Sequence, residues 1–474
     1  MIPSDRTRPQ GERMSNSESD NMRRMNRRQF VRNAGLAGVG LTAMGALAAC
    51  GGSDSGSTSS AAAETTAAEA TTEAAEVAAY QGTLKVVGLG VDLIDPIKAA
   101  FEKATPGVTL EFTVKSTPEC TQIALTQPDS FDIFSGYYQQ TDQVWPSGNL
   151  MAIPTSAMTR YAEISPLITK GSLIEGGGNP GQGDAAFRKL YATSGTEISE
   201  TATDFLTCIP GNNNADAFGY NVDELGEQDS WAILVDPQLK GKVALIDDPT
   251  IGLMDAAMAV EANGDMTFVD KGDMTKAEID ELMSILISLK KAGQFRGFWA
   301  TFDESVNFMS SGEVLVESMW SPAVSLLQAQ AFPVRYAAPK EGFRGWGGGN
   351  SIAAHVEKDP SKLAACLAYA NWWNTAEPAG IMAAQGYYNA VFAASSEGFE
   401  MLFPDDSANY IGYYLEGAPA AGVLNDPFGQ PSIKKGDTRD GGGYEERCGN
   451  FNTWNSYMAE ADYVSQKWQE FKSA

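Results

Sequence analysis

One histidine, His355, serves the whole 474-residue chain, and this limits the acid–base chemistry open to it. A Ser-His-Asp arrangement would hang on that ring alone. His355 sits at the end of an expected strand, where a lone histidine is more often inert than catalytic. No G-x-S-x-G elbow, H-E-x-x-H pair or Walker loop occurs. Gly88-Leu89-Gly90, between an expected strand and helix, imitates a dinucleotide fingerprint, and Glu111 falls where a ribose-binding acid would stand. The third glycine is replaced by Leu93, which would block close helix–strand packing. The pair reads instead as a turn that lets backbone approach a ligand at a helix N-terminus, or simply as a turn. The cysteines show no C-x-x-C and no metal-ligand spacing. No catalytic group, cofactor or metal is expected.

The elements that must carry these residues alternate. Thr83–Val87 reads as a strand, and Asp95-Pro96 as an N-cap with proline at the first helical position. Ile97, Ala100, Phe101 and Ala104 follow at helical spacing until Pro106-Gly107. Val108–Val114 alternates as a strand, and Phe131–Phe134 is another, closing on Ser135-Gly136-Tyr137-Tyr138. Strand, helix and strand in this order indicate a parallel α/β sheet with right-handed crossovers. Ala217–Tyr220, Val243–Ile246, Val314–Trp320 and Ser351–Ala354 read as further strands. Thr275-Lys276-Ala277-Glu278 is a capping box opening a helix with Ile279, Leu282, Leu286 and Leu289 on one face. Lys362–Asn374 is expected to be an amphipathic helix. Trp454–Phe471 is expected to be the last, with Tyr457, Tyr463, Val464, Trp468 and Phe471 as its apolar points.

The N-terminal 80 residues belong to another class of sequence. Arg27-Arg28 precedes an apolar run of 16 residues, Ala34–Ala49, that holds four glycines and is short for a spanning helix of about 20 residues. Paired arginines before such a segment are the twin-arginine export signal. Leu47-Ala48-Ala49-Cys50 resembles the lipobox of bacterial lipoproteins, which implies acylation of Cys50 and cleavage after residue 49. Met25 directly precedes the arginine motif and is the expected start. Residues 50–80, nearly all Gly, Ser, Thr, Ala and Glu, cannot bury enough apolar area to fold and read as a lipidated flexible linker. With the eight arginines and four acids of residues 1–49 removed, 34 basic and 60 acidic groups fall to 26 and 56, net −30. That excess argues against nucleic acid and anionic lipid surfaces. An exported chain also has no access to NAD. The expected location is the cell envelope, on the outer face of the cytoplasmic membrane or in the periplasm. Cys120, Cys208, Cys366 and Cys448 can form disulfides there, in any of three pairings, or stay buried thiols. The roughly 390 residues that remain are too many for one ordinary core and suggest two lobes.

A set of segments in fixed order carries a family resemblance. They are Phe131–Tyr138, Ile209-Pro210 ahead of Phe218-Gly219-Tyr220-Asn221, Ser230-Trp231-Ala232 and Leu239–Pro249. Gly312-Glu313-Val314 leading to Met319-Trp320-Ser321 follows, then Pro339–Gly342 leading to Asn350–Ala353, and Gln385–Asn389. In these the chain resembles the extracytoplasmic solute-binding proteins of ABC importers, in their spermidine/putrescine-binding branch. The resemblance implies an α/β fold of the type II periplasmic-binding-protein kind, two α/β lobes joined by two crossovers around a ligand cleft. Mapped here, lobe one is 82–213 plus 350–389 and lobe two is 214–349 plus 390–474. Hinge closure is the implied motion. The implied partners are a small solute and the permease and ATPase of an importer, met by a monomer on its lipid tether.

By the same resemblance Ser135 and Tyr137 would line the cleft from lobe one, and Trp320 would be an aromatic wall from lobe two facing Asp247 and Asp248. Aromatic faces and carboxylates together suit an organic ammonium. Trp320 reads equally as a core residue, and Asp247-Asp248 as a helix cap feeding Pro249. Where polyamine binders carry an acid ahead of the strand, this chain has Asn350, with Gly348 before it and Trp346 nearby. The acid expected after the Asp pair falls near Ile251. Losing two carboxylates leaves a multiply charged amine underpaired, unless Asp303 or Glu317 compensates. A zwitterion, a sugar acid or an opine-like conjugate fits such a cleft as well as a polyamine does. Tyr388 completes the set of candidate contacts. The competing readings are an exported hydrolase using two carboxylates, a tethered sensory receptor, and ferric-ion binding through Tyr137, Tyr138, Tyr387 and Tyr388.

Overall fold

A computed structural model of the chain describes residues 80–173 and 180–474. The export signal, Cys50 and the linker lie outside the described residues. Among the described residues no helix is long and apolar enough to cross a membrane.

The architecture is a mixed α/β sheet of eleven strands. Its path runs Phe295–Trp299, Val243–Ile246, Val316–Met319, Ile209–Asn221, Phe343–Ile352, Ile133–Tyr137, Gly82–Gly88, Val108–Val114. At both ends the pairing is parallel, between Gly82–Gly88 and its two neighbours and between Val243–Ile246 and its two. Helices connect these strands, as the alternation requires. Two long strands in the middle run antiparallel to each other and join the two ends.

Those two strands escape a periodicity argument. Ile209–Asn221 contains Asn212-Asn213-Asn214 and two glycines, yet all 13 residues are buried. It extends because it has partners along both halves: Phe343–Ile352 and Tyr388–Asn389 on the first, Val316–Met319 and Val334–Tyr336 on the second. Phe343–Ile352 carries Gly347-Gly348-Gly349, which by themselves read as a turn. A Cβ on Gly348 would lie 2.0 Å from the Gly136 carbonyl oxygen, and one on Gly349 2.3 Å from that of Ile209. The backbones approach more closely than any side chain permits, which is what glycine inside a strand marks. Gly348→Ala is expected to cost about 1–3 kcal/mol through forced displacement of the neighbouring strand, measured by chemical denaturation. Unchanged stability would mean the strands have room to part.

Several local expectations are shifted by packing. The first helix is Asp95–Ala104, with Asp95 already helical and no side-chain cap. The third strand is Ile133–Tyr137, two residues later than the hydrophobic run suggests, because its Ser135 to Tyr137 pair with Asn350 to Gly348. Trp454 is not helical. Phe451–Trp454 is a strand beside Phe343–Ile352, and the terminal helix is Ala461–Ser473, burying Val464, Trp468 and Phe471. The Thr275 capping box opens Lys276–Lys291 as read from sequence. Cys120, Cys208, Cys366 and Cys448 are all free thiols and buried. Helix Phe392–Leu402 lies along Ala376–Ala383, where a Cβ on Gly398 would stand 2.4 Å from the Gly380 nitrogen.

Candidate ligand-binding cleft

A cleft of about 740 Å³ opens beside the two long strands, which contribute Asp216 and Trp346 to its wall. From the Gly82–Gly88 end come Leu89, Gly90, Val91 and Tyr137, and from the Val243–Ile246 end Asp247, Asp248, Ile251 and Trp320. Trp346 is nearly buried and packs between Tyr137, at 5.2 Å, and Tyr387, at 5.3 Å. Trp320 stands edge-on to the buried Trp299 at 5.0 Å and keeps part of its surface toward the cleft. The wall is aromatic and amphipathic, able to meet either apolar or cationic surface.

The acids at this wall are already engaged. Asp247 accepts the Trp468 indole N–H at 3.0 Å and the Lys472 ammonium at 2.7 Å, both from the terminal helix. Asp248 accepts the backbone N–H groups of Thr250 at 2.7 Å and Ile251 at 2.9 Å, so its carboxylate is held at the start of helix Ile251–Asn263, whose N-cap residue is Thr250. Asp216 is buried beside Arg344 at 3.5 Å. Burial raises its carboxyl, opposed first by Arg344 and then by the Trp346 indole. Asp303 and Glu317 are not at the wall: Asp303 is exposed, and Glu317 is buried in Val316–Met319 against the Ser305 hydroxyl.

Ser135 and Asn350 sit on paired strands and line a separate small chamber with Asp92, Asn212, Gly348 and Trp373. Its volume is about 10 Å³, close to the space one water occupies. Tyr137 lines both spaces. Asp92 accepts the Asn212 side-chain N–H at 3.0 Å and has no basic partner among the described residues. Burial pushes its carboxyl up to about 6, moderated by that amide. The side-chain oxygens of Asn212 and Asn350 are buried with no hydrogen-bond partner among the described residues. The Trp373 indole N–H on the same chamber is likewise without a partner, so the unpartnered groups there are two acceptors and one donor beside the Asp92 carboxylate.

Tyr388 is not brought to the cleft. It is fully buried, its ring edge-on to Tyr444 at 4.8 Å, and its neighbour Tyr387 lines the wall instead. Tyr138 is also behind the wall, so the four phenols do not converge. Asp92, Asn212 and Asp216 escape the sequence reading, because strand register places Asn212 and Asp216, and a turn after Gly82–Gly88 places Asp92. The C-terminal residues are the other omission. Leu424-Asn425 and Pro431–Ile433 form a small hairpin whose Asp426, Phe428 and Gln430 reach the cleft. Beyond it Arg439 donates to the Gly386 carbonyl at 2.6 Å and to that of Tyr414. Its neighbour Asp440 turns the other way and accepts the Tyr336 backbone N–H at 2.8 Å and the Arg335 guanidinium at 2.6 Å. Nothing in a glycine-rich Asp-Thr-Arg-Asp stretch signals such a position.

Comparison with known proteins follows the same line. The family model described as bacterial extracellular solute-binding protein matches residues 97–401. A search of curated proteins returns no match. Among solved structures, the spermidine/putrescine ABC transporter substrate-binding protein PotD of Streptococcus pneumoniae aligns with a TM-score of 0.55 at 14% identity, covering 83% of this chain and 99% of that one. The Tp0655 (TpPotD) lipoprotein of Treponema pallidum gives 0.57 at 12%, over 83% and 100%. The Atu4243 GABA receptor gives 0.51 at 15%, over 83% and 98%. At these identities the structures speak for fold, the type II periplasmic-binding-protein fold, and the family match carries the assignment over most of the folded part. This chain belongs to the bacterial extracellular solute-binding protein family.

Proposed function

We propose that this protein captures a small organic amine or amino-acid-like solute in the cleft and delivers it to the permease and ATPase of an ABC importer. It does so without turning the solute over, as a monomer held to the membrane by lipid on Cys50. The observation that carries the amine is the chamber of Asp92, Asn212 and Asn350. An alkylammonium group offers three N–H donors, and the chamber offers one carboxylate and two buried amide oxygens without partners. Trp346, Tyr137 and Tyr387 would cover the alkyl part. Asp92 thus takes the place of the acids that Asn350 and Ile251 do not supply, while Trp320, Asp247, Asp248 and Ser135 shape the surrounding wall. Asp247 and Asp248 favour a role in fixing that wall, since each is held by its own local partners.

Two lobes, 82–213 with 350–389 and 214–349 with 390–474, would close about the long strands, where residues 213–214 and 349–350 mark the crossings. The packing of Phe392–Leu402 on Ala376–Ala383 favours its travelling with the first lobe. Lipoprotein and polyamine-binding neighbours of the same fold support the reading.

The test is a thermal-shift and titration panel of diamines, polyamines, amino acids, betaines and sugar acids. A solute at about 100 times its dissociation constant adds about 2.7 kcal/mol to stability. Asp92→Asn is expected to weaken amine binding by roughly tenfold or more. For the native protein, affinity should fall as pH drops through about 6, where the Asp92 carboxyl takes its proton. A panel in which only uncharged solutes bind, or chemical products accumulate, would sink the proposal.

A further inference from the structure

We infer that Arg439 receives a carboxylate of the solute, so that the ligand is a zwitterion with its anionic end on this guanidinium. The inference rests on the proposed capture of an amine in the cleft and narrows its class. Arg439 lines the cleft from the C-terminal segment and is half-buried. A guanidinium has five N–H donors, and its described hydrogen bonds go only to the backbone carbonyls of Gly386 and Tyr414. Its plane lies over the rings of Tyr388, at 5.0 Å, and Tyr414, at 5.3 Å, which hold its orientation. No carboxylate among the described residues forms an ion pair with it. The nearby ionic group that bears on it is Arg447, of like charge.

Among the described residues, three neighbouring cations are met by carboxylates and Arg439 is not. Arg335 is met by Asp440, Arg344 by Asp255 and Asp216, and Lys472 by Asp247. Arg447 also lines the cleft without an ion pair among the described residues, but it is 1% exposed, donates to the carbonyls of Asp440 and Ala215, and keeps only its Nε without a partner. The acids of the cleft cannot neutralise Arg439 where they stand. Asp440 is turned to Arg335, Asp426 accepts the backbone N–H groups of Phe428 and Gln430, and Asp247 and Asp248 are held as described. A half-dehydrated guanidinium with no counter-ion is the situation a carboxylate relieves best, through a charge-assisted and potentially bidentate contact. The same charge repels the second ammonium of a diamine. A purely structural Arg439, tying Gly386 to Tyr414, would affect stability but not the preference between solutes.

Three probes with the same four-carbon reach separate these cases in isothermal titration: 4-aminobutanoate, 1,4-diaminobutane and butylamine. The amino acid is expected to bind most tightly and the diamine most weakly. Arg439→Gln should weaken the amino acid by roughly tenfold to hundredfold and bring its ratio to butylamine toward one. Arg439→Lys should restore part of that preference. Equal or better binding of the diamine by the native protein overturns the inference, and that comparison needs no variant to fold. An unchanged ratio in a folded Arg439→Gln protein overturns it as well. If the amines bind and the amino acid does not, the inference alone falls; if none of the three binds, the amine reading falls and takes it along.

Discussion

Replacing Arg344 by leucine is expected to lower the unfolding free energy by about 3–5 kcal/mol, the usual cost of removing one member of a buried ionic group. Arg344 is 1% exposed. It donates to Asp255 at 2.7 Å and to the Asn455 side-chain oxygen at 2.6 Å, and lies 3.5 Å from Asp216. It therefore joins the second long strand to the first and to helix Ile251–Asn263. Asp255 is itself fully buried, and burial raises its carboxyl to about 6 even with Arg344 opposing. Without the guanidinium both carboxyls must take protons or remain charged with no partner. Arg344→Lys keeps the charge but loses the fork and should fall between. An Arg344→Met, Asp255→Leu double variant should recover part of the loss, because an apolar replacement leaves fewer charges stranded. Urea denaturation with an unchanged m value is the measurement, and a loss under about 1 kcal/mol for Arg344→Leu would contradict this account. Because Asp216 also lines the cleft, that variant should bind solute differently even where it remains folded.

Stability should fall as pH rises from about 5 to about 8, and Glu317 should carry much of the slope. Its side chain is fully buried, with one oxygen accepting the Ser305 hydroxyl at 2.6 Å and the other without a partner among the described residues. Burial pushes its carboxyl from 4.5 to about 8, the serine opposing. Between those values the unfolded chain has released the proton and the folded chain still holds it. The unfolded state binds fewer protons there, so each pH unit costs about 1.4 kcal/mol at most. The stabilisation is complete below about 4.5 and gone above about 8. Asp92 and Asp255, both raised to about 6, add slope of the same sign in the lower part of the window. Glu317→Gln removes the titration and keeps an oxygen for Ser305. It is expected to flatten the profile and to exceed the native protein by about 2–4 kcal/mol near pH 8. An unaltered slope in Glu317→Gln would mean that this carboxyl ionises within the fold.

The local readings that held share a cause: their signal lies within a few residues. Val243–Ile246 is a compact apolar run, and Thr275 with Glu278 satisfies a helix end by itself. The readings that shifted depend on distant partners. Ala217–Tyr220 and Ser351–Ala354 read as short strands, and the strands found run back through Asn212-Asn213-Asn214 and Gly347-Gly348-Gly349 because each backbone fits between two others. Trp454 looks helical by spacing, and is extended because it pairs beside Gly345.

Composition and order alone determined the class of this protein: acidic, poor in catalytic groups, alternating in strand and helix, and built of segments in the order of a solute-binding family. Those properties are sums over the chain or short-range patterns, and tertiary contacts cannot alter them. Which carboxylates are spent and which are left was decided only in three dimensions. Asp247 is consumed by Trp468 and Lys472, more than 200 residues away, while Asp92 is left facing two amide oxygens and Arg439 is left without a counter-ion. A charge acquires its role from what lies within a few ångströms of it, and that distance is fixed by strand register and by where the C-terminal segment settles.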